Sequence, residues 1–162
     1  MTACSGPPKG ELERKVSTRA APGSFRINGV STVFERRCGT LDCHGSTSRN
    51  LRIYSQRGLR LPNDAGVTTA SGSATTIDET TANYQSIMTL EPEVSNAVID
   101  GTSDPYELLI LKKPLERERH KGGPAIKSGD PAELCIVSWL KEGVITPIDT
   151  GACARAAIFP KE

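Results

Sequence analysis

Val30-Ser31-Thr32-Val33-Phe34-Glu35-Arg36-Arg37-Cys38-Gly39-Thr40-Leu41-Asp42-Cys43-His44 is the stretch from which the fold of this chain is read. Val30, Val33, Phe34 and Arg37 recur at helical spacing, with Asn28 as N-cap, so the pattern predicts a short helix. The helix delivers the chain to Cys38, and Gly39 can end it. Four residues separate Cys38 from Cys43, and His44 follows the second thiol directly. Gly39 lets the intervening residues bulge outward.

Around this stretch, the 162 residues fit one domain with a tail. Lys and Arg number 20 against 19 Asp and Glu, which argues against a protein built mainly to hold nucleic acid or coat an anionic membrane. Only 3 Phe, 3 Tyr and 1 Trp are available, so the core is modest and calls for a staple or a cofactor. No apolar run reaches the roughly 18 residues of a membrane span.

Two thiols running into an imidazole is the order of covalent c-type haem attachment, although the usual signature has two residues between the cysteines. The thiols bond the porphyrin's vinyl groups and the adjacent imidazole then lies under the iron. Two other readings use the same residues. Cys38 and Cys43 can close a small disulfide loop with His44 on the surface, or Cys38, Cys43, His44 and His120 can hold zinc.

Phe34 to Gly45, followed by Arg49-Asn50-Leu51-Arg52-Ile53-Tyr54 and Gly58-Leu59-Arg60, resembles a family of monohaem cytochrome c domains with longer cysteine gaps in myxobacterial and planctomycete-like secreted proteins. His120-Lys121-Gly122-Gly123 and a terminal helix with Trp139 resemble it too, so the likeness spans about residues 28–153. It implies a small, mostly α-helical fold, one covalent haem c, and electron transfer between redox proteins.

His44 is then the proximal ligand of the haem iron. The chain has only two histidines, and His120 sits in a Gly/Pro-interrupted loop before the last helix, where small c-type cytochromes carry their distal ligand. Met88 is the alternative, but it falls at helical spacing with Tyr84 and Ile87, where methionine more often fills a core. Arg49 and Arg52 can pair with haem propionates or stay on the surface.

Asp130-Pro131-Ala132-Glu133 opens a helix with an N-cap, a proline at the first position and a capping box, and Gly143 stops it. Ile136, Trp139 and Leu140 form its apolar stripe beside Cys135. Cys153 follows, and a Cys135–Cys153 disulfide would close a short loop in an oxidising compartment. Asp104 to Lys113 reads as another helix behind an Asp-Pro cap. Residues 64–78 read as a surface loop, and Lys112 to Lys121 as a solvated face.

Met1-Thr2-Ala3-Cys4-Ser5-Gly6 resembles the processing site of a bacterial lipoprotein, which implies lipidation at Cys4. Residues 1–27 are expected to form a flexible tether and 28–162 the cytochrome c-like domain. The expectation is an extracytoplasmic electron carrier, not an enzyme, in the periplasm or at the outer membrane or cell surface. It would be membrane-anchored through Cys4 and open to docking in a respiratory or photosynthetic complex. The rivals are a disulfide-stapled binding domain without haem, and a five-coordinate haem sensor or peroxidase.

Overall fold

The structure, a computed structural model, describes residues 20–142 and 147–158. Among them the chain is mostly helical and forms no strand; isolated bridges join Tyr54 to Leu59 and Pro62 to Thr68. The helices are α1 (Pro22–Ile27), α2 (Val30–Arg37), α3 (Ile77–Met88), α4 (Pro92–Ile99), α5 (Leu109–Lys112), α6 (Pro131–Leu140) and α7 (Thr150–Ala156). A turn of 3₁₀-helix spans Pro105–Glu107. No helix among the described residues is long and apolar enough to cross a membrane.

α2 is the central element and touches α1, α3, α6 and α7. It lies where the 30–37 pattern predicts, with Val30, Val33 and Phe34 buried. Its N-cap is Gly29, however, not Asn28. Asn28 caps the C-terminus of α1, and the chain turns from one helix into the next through Gly29 at φ 78°, a conformation that costs glycine little.

α1 corrects the expected domain boundary. Residues 20–27 belong to the folded body: Ala20 is buried, and Phe25 is fully buried against Phe34, Tyr84 and Trp139 at ring-centroid distances of 6.0, 5.8 and 5.1 Å. Burying one such ring contributes about 2–3 kcal/mol, enough to order a six-residue helix with little intrinsic tendency to form. Residues 1–19 of the expected tether, with Cys4, lie outside the described residues.

α6 forms as its sequence predicts. Asp130 accepts the Ala132 N–H at 2.7 Å, while Glu133 reaches the N–H of Gly129 instead of closing the box on Asp130 itself. The helix ends at Leu140 with Lys141 as its C-cap; Gly143 lies outside the described residues. Cys135, Ile136, Trp139 and Leu140 are fully buried. α7 packs on α6, and the Cys135–Cys153 disulfide joins them. The 18-residue separation sets the expected effect: replacing both cysteines with alanine should lower unfolding stability by about 3 kcal/mol in chemical denaturation.

The Asp104–Lys113 segment is broken rather than one helix. Asp104 caps the 3₁₀ turn through the Tyr106 N–H, and Leu108 then adopts extended backbone. Glu91 accepts the Leu109 N–H at 2.7 Å, which starts α5 anew. The break brings Leu109 and Ile110 to the wall of a cavity.

Candidate functional site

The Cys38–Gly45 segment closes on itself through backbone hydrogen bonds. The His44 N–H donates to the Cys38 carbonyl at 2.8 Å, and the Cys43 and Gly45 N–H groups both donate to the Thr40 carbonyl, at 3.0 and 2.9 Å. The four residues between the thiols therefore form a turn, with Leu41 and Asp42 exposed. Gly39 is buried and does not adopt a left-handed conformation. Space is what requires a glycine there: an added Cβ would lie 2.7 Å from the Glu35 carbonyl oxygen and 2.9 Å from the Ser55 Cβ.

The loop is anchored to the following chain. Ile53 N–H donates to the His44 carbonyl at 2.8 Å, and the Ser55 hydroxyl to the Gly39 carbonyl. This folds residues 51–55 back under the loop and brings the Leu51 carbonyl to His44 Nδ1 at 3.0 Å.

His120 reaches the same place from the far end of the chain. Its Nδ1 lies 2.8 Å from the Gly123 carbonyl, and Gly123 at φ 72° turns the backbone back toward the ring. A carbonyl only accepts, so Nδ1 carries a proton in both histidines, and in the neutral ring it is Nε2 that has the lone pair. No hydrogen bond among the described residues claims either Nε2. The two rings are nearly parallel, 11° apart, with centroids separated by 6.0 Å.

Both rings and both thiols line one cavity of about 430 Å³, whose walls include Leu51, Leu90, Leu109, Ile110 and Pro114. Met88 is half-buried against the hydrophobic core and does not line it. Trp139 packs on Phe25 and Tyr84, also away from the cavity. Arg49 lines it, whereas Arg52 turns outward to the Thr47 carbonyl.

Cys38 and Cys43 are free thiols, without the small disulfide one reading gave them. Burial and the neighbouring Cys43 push the Cys38 thiol up to about 12, with Arg37 opposing, so Cys38 stays protonated near neutral pH. No three His, Cys, Asp or Glu side chains among the described residues converge as a structural zinc site would require. The zinc reading finds no support in this arrangement. Burial lowers the His44 pKa, overriding the Leu51 hydrogen bond, with His120 and Arg49 acting in the same direction. A neutral imidazole is the form that can coordinate.

The residues fit a haem. Metal-bound histidines commonly give their other N–H to a backbone carbonyl, as both do here. Arg37 Nε is buried with no hydrogen-bond partner among the described residues, although its Nη2 lies 3.6 Å from Asp130. Arg37 also lines the cavity.

Sequence reading missed Arg37, which the helical pattern marked only as a packing position, and the Leu51 and Gly123 carbonyls that orient the two imidazoles. The Gly122-Gly123 pair directly after His120 is the one local signal that a carbonyl turns back onto that ring. No protein-family model matches this chain, and comparisons with curated proteins and with solved structures find no match.

Proposed function

We propose that this protein is an extracytoplasmic electron carrier with one covalent haem c in the cavity between His44 and His120. The observation that carries the reading is the pair of near-parallel imidazoles, each with Nδ1 held by a carbonyl, over a cavity that two free thiols also line. Cys38 and Cys43 would attach the group, His44 would be its proximal ligand and His120 its distal ligand. When bound, haem supplies a one-electron couple. The chain's own part is to fix both rings through the Leu51 and Gly123 carbonyls and to exclude water with an apolar wall. With both imidazoles engaged by the group, no place would be left for a substrate, which favours electron transfer over sensing or peroxide chemistry. The helical fold is read as cytochrome c-like on the same grounds. Lipidation at Cys4 would hold the domain at a membrane surface, beside redox partners.

Attachment is tested by mass. Produced with haem-maturation machinery, the denatured full chain should exceed its polypeptide mass by one haem, and acid-acetone should fail to extract the colour. Cys38→Ala with Cys43→Ala should release the group under the same treatment. A bare polypeptide mass would refute the reading and favour a disulfide-stapled domain without haem.

A further inference from the structure

α2 has a second working face. Ser31, Thr32, Glu35 and Arg36 fall at helical spacing on the side away from Phe34 and Arg37, the two α2 residues that line the cavity with the histidines. They form one wall of a separate cavity of about 290 Å³, which shares no lining residue with the first. α1 adds Arg26 to it, the chain after the Cys38–Gly45 loop adds Gln56 and Arg57, and the segment before α3 adds Ala74 and Thr75.

This lining is unlike a core. Ala74 is its one purely hydrocarbon side chain, and Arg26, Arg36 and Arg57 are set against a single carboxylate, Glu35. Glu35 is already engaged within the wall. One of its oxygens accepts from the Ser31 hydroxyl and the other from the Thr75 hydroxyl, the latter at 2.6 Å. Each hydroxyl directs its proton at Glu35, so toward a ligand it can only accept. The Arg26 guanidinium makes no hydrogen bond or ion pair among the described residues. The wall is also held in place: Ser31 is buried, and the Gly72 N–H donates to the Gln56 carbonyl at 2.9 Å. A site fixed in this way gives up little freedom on binding.

We infer that this second cavity binds a small polyhydroxylated anion, a monosaccharide carrying a phosphate or a carboxylate. The guanidiniums supply forked donors for the oxyanion. Ser31 and Thr75, held as acceptors, receive hydroxyls of the ligand. A bare inorganic anion would leave those acceptors unmatched, and an apolar ligand would find no surface to bury against. The volume suits a molecule of about one sugar ring. None of this rests on the haem, whose cavity lies on the other face of α2.

Isothermal titration of the full chain at low salt with glucose-6-phosphate and with glucuronate tests the inference, with glucose and inorganic phosphate titrated in parallel. The expected result is that at least one charged sugar binds about tenfold or more tighter than glucose or inorganic phosphate. A preference for glucose-6-phosphate would assign the site to a phosphoryl group and one for glucuronate to a carboxylate, and either supports the inference. Binding should weaken about tenfold in Arg26→Gln and in Arg57→Gln, two exposed positions where one cation is removed at a time. It should hold in Arg119→Gln, an exposed arginine that sits with Arg49 and Lys121 beside the histidine cavity. No heat from either charged sugar, inorganic phosphate binding as tightly as both, or equal weakening in Arg119→Gln would overturn it.

Discussion

Replacing Gly58 with alanine is expected to dislodge the Cys38–Gly45 loop and to cost about 3 kcal/mol or more, beyond an ordinary overpacking change. The added Cβ would fall on the Gly39 carbonyl oxygen and lie 2.9 Å from both the Gly45 Cα and the Ser55 Oγ. Gly45→Ala should do the same, because its Cβ would meet the Gly39 carbonyl and the Thr40 carbonyl carbon. These neighbours are mostly backbone, so no flexible side chain can swing away. Relief requires moving the strand of chain that carries Cys38 and His44, which breaks the His44–Cys38 and Ile53–His44 hydrogen bonds. Thermal unfolding should show both losses. Gly23→Ala is the contrast: it lies in α1 with nothing within 4 Å of its Cβ, and should stabilise by about 0.5–1 kcal/mol. Equal melting temperatures for Gly58→Ala and the parent would show that the loop is not packed this way.

The second large effect is expected at Arg60. Glu79 is fully buried, and its carboxylate accepts from Arg60 Nε and Nη2 at 2.8 and 2.9 Å and from the Leu61 and Thr76 N–H groups. Arg60 also donates to the Ala70, Ser73 and Ala74 carbonyls, which ties the exposed 61–75 segment to the start of α3. Arg60→Ala leaves a buried carboxylate without its cation and should cost about 3–5 kcal/mol. Arg60→Lys should recover only part, since a single ammonium cannot replace a fork of donors.

The same pair sets a pH dependence. Burial by itself raises the Glu79 pKa, but the hydrogen bonds from Arg60, Thr76 and Leu61, together with the Arg60 charge, bring it below its ordinary value. A carboxyl depressed in the folded state stabilises fully above its unfolded pKa of about 4.3, and that contribution fades as pH falls through the folded value. The parent's advantage over Arg60→Ala should therefore be largest near neutrality and shrink below about pH 4. An advantage that grew on acidification would contradict the ion pair.

Much of this was legible in the sequence where the signal is local. Asp130-Pro131 and the Ile136–Trp139–Leu140 stripe define α6 because cap, proline and apolar face agree. Cys135 and Cys153 pair as expected, and the fold brings His120 to the thiols and His44. What escaped depends on distant neighbours. Pro22–Ile27 holds a proline, a glycine and one aromatic ring, and it is helical because Phe25 finds Phe34, Tyr84 and Trp139. Nothing in the sequence marks Gly45 and Gly58 as packed against Gly39 until the fold stacks their backbones. Lys112 to Lys121 reads as a solvated run because its acids and bases alternate along the chain, and only folding sets Arg119 and Lys121 beside Arg49.

The absorption spectrum of the full chain, produced with haem-maturation machinery and recorded oxidised and then reduced, tests the central claim most directly. The account predicts a low-spin, six-coordinate haem without the near-infrared sulfur-to-iron band of methionine ligation. His120→Ala should turn it high-spin or water-ligated with the haem still attached, while Met88→Leu should leave the spectrum unchanged. A colourless protein, or a native iron that is high-spin and open, would contradict it.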